Sequence, residues 1–170
     1  NTSFNKRNIP RLRDIFVANR QKFINKWNVN PSYFAVLRKD ITSIIKKAGK
    51  RSINVLHMGC GAGGTLLDIK NEIPESNLFG IEGNKRAVVN TGHFAQIDIG
   101  EEDKITKFSR GYFDYIIVNP RYKGDDYHSR IIDFAREYLK DTGQFIFELS
   151  RSGVQVLDKQ GKCIMDTTGG

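Results

Sequence analysis

The chain has 170 residues, 39% of them hydrophobic, 11% aromatic and 27% charged, which is one domain's length with enough large apolar side chains for a core and excludes a disordered chain. It contains no run of 18 apolar residues, and its polar start with Lys6, Arg7, Arg11 and Arg13 lacks a signal peptide's apolar stretch, so neither a membrane span nor secretion is expected of this segment. Cys60 and Cys163 are too few for a disulfide framework or a four-cysteine zinc site, which suits a reducing cytoplasm and leaves no metal site assigned. The net charge of +8 is uneven: residues 1–51 hold 13 Lys and Arg against Asp14 and Asp40, a net +11, whereas residues 52–170 come to −3. A basic arm of this kind meets nucleic acid, anionic lipid or a phosphorylated substrate, or is only a solvated helix face.

In chain order, the first residue is Asn1 rather than Met, which suggests a piece of a longer protein. Leu12, Ile15, Phe16, Phe23, Ile24 and Trp27 fall at helical spacings after Pro10, and Phe34, Leu37, Ile41, Ile44 and Ile45 do so between Pro31 and Gly49. These two helices form a basic N-terminal extension, residues 1–51. From residue 52 to 170 short apolar runs alternate with helical stretches, the pattern of an α/β, Rossmann-like, doubly wound and mostly parallel sheet. Strands are expected at Ile53–Met58, Asn77–Glu82, Phe94–Asp98, Phe113–Asn119 and Gln144–Leu149, with helices near 63–72, 84–90, 101–108 and 127–140. Val154–Leu157 and Lys162–Met165 flank a turn and form a candidate hairpin. No crossover helix fits between Arg151 and Gly153, so the last strands are expected to be abbreviated or missing.

The first strand runs into Gly59-Cys60-Gly61-Ala62-Gly63-Gly64 and then a helix. Glycines at such a turn let the backbone approach a nucleotide-like ligand. Glu82 closes the second strand, where an acid accepts from ribose hydroxyls, and Asp98 closes the third, where an acid takes an adenine's exocyclic amine. Open parallel sheets bind ligands at these strand ends.

At this point residues 52–150 resemble the class I S-adenosylmethionine-dependent methyltransferases, through Val55-Leu56-His57-Met58-Gly59-Cys60-Gly61-Ala62-Gly63, Glu82, Asp98 and Phe113-Asp114-Tyr115-Ile116-Ile117-Val118. The resemblance implies a cofactor site at Gly59, Cys60, Gly61, Gly63, Glu82, Gly83, Asp98, Ile99 and Asn119, with the glycine loop on the amino-acid part of S-adenosylmethionine. His57 stands where Asp or Glu is more usual. A second resemblance lies in Asn19-Arg20-Gln21-Lys22-Phe23-Ile24-Asn25-Lys26-Trp27, which looks like the tail of family 2 glycosyltransferases. It implies a methyltransferase fused to or associated with a glycosyltransferase in bacterial surface-glycan assembly.

After the fourth strand, Asn119-Pro120-Arg121-Tyr122 is similar to the Asn-Pro-Pro-Tyr of methyltransferases acting on planar amines, which implies Asn119 and Tyr122 as acceptor-holding residues. A sugar hydroxyl would instead need a general base, for which His128 or Asp125 is the candidate. Asp125 or Asp126 could equally cap the helix beginning near Tyr127. The expected activity is methyl transfer to a sugar or amino sugar, with amine methylation on nucleic acid and a degraded scaffold as the alternatives.

Overall fold

The computed structural model describes residues 9–27, 37–88, 91–119, 126–149 and 153–167. Along these, α1 (Ile9–Trp27) and α2 (Lys39–Lys47) precede β1 (Asn54–Met58), α3 (Gly64–Glu72), β2 (Asn77–Glu82), β3 (Gln96–Ile99) and β4 (Phe113–Val118). Then come α4 (Tyr127–Ala135), β5 (Leu139–Glu148), β6 (Val154–Asp158) and β7 (Cys163–Asp166). The sheet order is β3-β2-β1-β4-β5-β6-β7; β1 to β5 pair in parallel, and β6 and β7 are antiparallel additions.

Strands such as Ile116-Ile117-Val118 and Phe145-Ile146-Phe147 are apolar on consecutive residues, so both faces of the sheet must be covered. One face carries Leu56, Met58, Phe113, Phe145 and Phe147 beneath Ile131 and Ala135 of α4. The other carries Val55, Tyr115, Ile117 and Ile146 beneath Ile41 and Ile45 of α2 and Leu66 and Ile69 of α3. The boundary expected at 51/52 therefore runs between two elements of one core, because the apolar stripe of α2 is buried in the sheet's own interior. Among the described residues of the extension, α1 stands outside it, with Ile15, Phe16 and Val17 exposed.

Several expected elements take a different form. Residues 85–87 form a turn instead of the first half of a helix, because the Asn84 side chain accepts the Arg86 N–H (3.0 Å) and holds the backbone in an Asx turn. The stretch expected to be helical at 101–108 is a 3₁₀ segment, Glu102–Lys107, and β3 begins at Gln96 instead of Phe94 because Thr91–His93 is already a 3₁₀ turn. The helix expected to reach 140 stops at Ala135, and fully buried Leu139 already pairs with Phe113 in the sheet. The C-terminal strands are abbreviated as expected, not missing: the hairpin forms as β6 and β7, of five and four residues, and no crossover helix stands between β5 and β6 among the described residues. The link 149–153 is too short for the crossover that a parallel strand needs, so β6 turns back antiparallel on β5.

At the opposite end of the sheet from the glycine turn, buried Asp114 on β4 accepts from Lys140 (2.7 Å), Lys50 (2.8 Å) and the Asn54 N–H (2.9 Å). Burial alone would raise its carboxyl pKa, but these bonds outweigh it and hold the group below its ordinary value of 3.8. A depressed native value means the stabilisation is complete above the unfolded value and is lost as pH falls through the native one. We expect Asp114→Asn to lower stability at neutral pH and to flatten the loss of Tm on acidification below pH 3.8, checked by thermal melts across pH 2 to 7.

Candidate active site

The turn after β1 adopts its shape because three of its residues need left-handed backbone: Gly59, Gly61 and Gly63 have φ of 74°, 55° and 76°, which side chains beyond glycine adopt only under strain. The N–H groups of Gly59 and Cys60 both donate to Ile81 O (2.8 and 3.3 Å), which ties the turn to the end of β2. There Glu82 completes the fold of the loop. One carboxylate oxygen accepts the Gly61 N–H (2.7 Å), and the other accepts the Asn84 N–H (2.8 Å). Each oxygen keeps further acceptor capacity for a hydroxyl.

These strand ends open into a cleft of about 270 Å³ lined by Met58, Gly59, Ile81, Glu82, Gly83, Gly100, Glu101, Glu102, Asn119 and Tyr127. The lining bears three carboxylates and, among the described residues, no Lys or Arg, so the cleft favours a cationic ligand. Asn119 is carried there by the end of β4, its N–H donating to Met58 O (3.0 Å). The 3₁₀ segment that brings Glu102 to the cleft is pinned by fully buried Ile105 and by Phe108, which packs edge-on to Phe79 (4.9 Å) and Phe113 (4.8 Å). The Tyr127 hydroxyl donates to Glu102 (2.7 Å), and burial followed by this bond pushes the phenol pKa upward.

Of the residues singled out in the sequence, Gly59, Glu82, Gly83 and Asn119 line the cleft, and Gly61 is bound to Glu82. Cys60 lies beneath the turn against Gly80, and burial foremost pushes its thiol up to about 12, so it stays protonated and unreactive. Gly63 packs against Thr91 and Phe94. Asp98 is on the third strand as expected, in an ion pair with Lys107; Ile99 is 44% exposed just beyond it, outside the cleft lining. His128 packs on Phe147 with ring centroids 4.4 Å apart and is likewise outside the lining; burial lowers its pKa and keeps the imidazole neutral. Tyr122 and Asp125 lie outside the described residues. Asp126 holds the cap position of α4, but its carboxylate turns to Arg130 (3.2 Å) instead of the first-turn amides. Sequence reading missed Tyr127, Glu101 and Glu102; for the two acids the one local signal was Gly100, which follows the end of β3 two residues after Asp98.

A doubly wound sheet with a glycine turn, a second-strand acid and an open cleft at the parallel strand ends defines a nucleoside-cofactor protein of the class I methyltransferase fold. Residues 35–157 match the family described as the methyltransferase small domain, and the chain belongs to that family. No curated protein matches the sequence. Among solved structures it is similar to a putative S-adenosylmethionine-dependent methyltransferase of Methanococcus maripaludis, at 16% identity and TM-score 0.52, covering 75% of this chain and 62% of that one. It is also similar to a precorrin-6y C5,15-methyltransferase of Geobacter metallireducens (14%, TM-score 0.51, covering 64% and 61%). A third is a putative sarcosine dimethylglycine methyltransferase of Galdieria sulphuraria (12%, TM-score 0.53, covering 65% and 45%). These likenesses establish the fold, and the chain spans less than two thirds of each of those proteins.

The residues present fit S-adenosylmethionine. At Gly61 an added Cβ would meet nothing within 4 Å, so bare backbone faces open space where a ligand can lie. Glu82 offers acceptors to a ribose, and the carboxylate lining suits a molecule whose sulfonium and ammonium outnumber its carboxylate. No helix among the described residues is long and apolar enough to cross a membrane.

Proposed function

We propose that the chain methylates an amino group of a small acceptor, an amino sugar first among the candidates, using S-adenosylmethionine. The observation that carries this reading is the cleft in which the glycine turn, Glu82 and Asn119 meet. When bound, the cofactor would supply an electrophilic methyl on a sulfonium, the S–C bond giving way to N–C with a thioether left behind. The protein's part is to bind and to align. Glu82 and the backbone of Gly59 and Gly61 would hold the cofactor, and the side-chain oxygen of Asn119 would accept an amine N–H and aim the nitrogen lone pair along the S–C axis. The proton lost from nitrogen passes to solvent through the open cleft.

An amine needs no strong base, and the placement of Asn119 in the cleft with His128 against Phe147 favours nitrogen over a sugar hydroxyl. The Asn19–Trp27 segment supports an amino sugar of a surface glycan and an associated glycosyltransferase. Two free thiols, one buried and one exposed, suit a reducing compartment such as the cytoplasm.

The test is methyl transfer from labelled S-adenosylmethionine to amino sugars, neutral sugars and oligonucleotides. Product confined to amines supports the reading, and product confined to hydroxyls or no product at all sinks it. A nucleic acid acceptor held by the basic extension would declare itself by a steep fall in affinity with salt. In the same assay Asn119→Ala should lower kcat about a hundredfold while leaving the cofactor Kd nearly unchanged, since mispositioning alone has effects of that size.

A further inference from the structure

Behind the glycine turn, on the sheet face covered by α2 and α3, three ionisable side chains are buried together: Arg38 ahead of α2, His57 on β1 and Glu148 at the end of β5 are 2%, 3% and 4% exposed. Glu148 stands between the other two. One carboxylate oxygen is 3.4 Å from Arg38 Nη1, and the other is 3.3 Å from His57 Nε2. Arg38 is itself anchored, donating to both oxygens of Asp40 (3.0 and 2.7 Å) and to Gly153 O (3.1 Å). The cluster thus joins the entry to α2, the link between β5 and β6, and the strand that feeds the glycine turn. His57 is two residues before Gly59, and both of its ring nitrogens are buried without a hydrogen-bond partner.

A buried carboxylate is tolerated only when cations or donors surround it. Arg38 divides its donors between Asp40, Gly153 O and Glu148, and the Glu148 carboxylate acts at 3.3 Å on the imidazole edge of His57, so its charge bears on how that ring is oriented. The apolar cores on either side account for the burial of β1 and β5 without any charge here, and a well-packed apolar trio would serve stability at least as well. The charges therefore call for another role, and the nearest element that must be held accurately is the turn that binds the cofactor. We propose that Glu148, oriented by Arg38, is a positioning residue for S-adenosylmethionine binding that acts through His57 on the Gly59–Gly63 turn. This rests on the cofactor site and not on the choice of acceptor.

The test combines calorimetric titration with S-adenosylmethionine and NMR of the His57 ring nitrogens. Glu148→Gln, which keeps shape and removes charge, should weaken cofactor binding about tenfold and shift the His57 ring signals, with circular dichroism unchanged. Glu148→Asp, which keeps the charge, should restore most of the affinity. Wild-type affinity in Glu148→Gln, or equal losses in both variants with unmoved His57 signals, would overturn the proposal in favour of a packing role. Should Glu148→Gln not fold, the wild type decides: cofactor must move the His57 ring signals, and signals that stay put overturn the proposal. Failure of the cofactor site itself would appear instead as no heat of binding in the wild type.

Discussion

Glu82→Ala is expected to abolish measurable binding of S-adenosylmethionine while leaving a folded chain. Two losses combine. The substitution would remove the acceptor that we propose for a ribose hydroxyl, and it releases the Gly61 and Asn84 N–H groups that the carboxylate holds at 2.7 and 2.8 Å. Bonds to a charged acceptor contribute about 1.5 to 3 kcal/mol each, so losing the ribose bond and part of the loop's order weakens binding by about two to three orders of magnitude. Glu82 is half-buried at a strand end, away from the two apolar cores, and Tm should fall only slightly. Titration calorimetry and a thermal melt on the same sample separate the two effects. Binding in Glu82→Ala within threefold of wild type would remove this residue from the cofactor site.

The second large effect divides two glycines of one turn. At Gly63, φ is 76° and an added Cβ would sit 2.1 Å from Thr91 Cγ2 and 3.2 Å from the Phe94 ring, with Thr91 fully buried. Gly63→Ala therefore combines left-handed strain with overpacking and should cost about 3 kcal/mol, a fall in Tm of roughly 6–12 °C for a chain of this size. At Gly61, φ is 55° but the added Cβ meets nothing within 4 Å. Gly61→Ala should cost only about 1–2 kcal/mol of backbone strain, yet that strain falls on the residue whose N–H holds the Glu82 carboxylate, so cofactor binding should weaken in a chain that stays stable. Melts and titrations of the two variants check the contrast. Equal melting temperatures, or undiminished cofactor binding in Gly61→Ala, would show that the turn does not work in this way.

The legible features are those encoded over a few residues. Alternation of apolar runs gave β2 its bounds to the residue, and the glycines after β1 announced a turn because left-handed backbone is a local demand. Glu82 could be read for the same reason, since the end of a strand in this pattern lies beside the turn. Asp98 was found by position, but its ion pair with Lys107 depends on a 3₁₀ segment whose place is decided by Ile105 and Phe108 in the core. His128 sat near the acceptor side in sequence, and only the packing of α4 on β5 turned it onto Phe147.

By itself the sequence determined the class of sheet, the glycine turn and the second-strand acid, because hydrophobic period and backbone dihedrals act between neighbours. Tertiary structure decided that α2 belongs to the core, that Tyr127 meets Glu102 in the cleft, and that Arg38, His57 and Glu148 share one buried site. These pairings join residues far apart in the chain, and no local preference specifies them; they exist only once the sheet has closed and excluded water from between their charges.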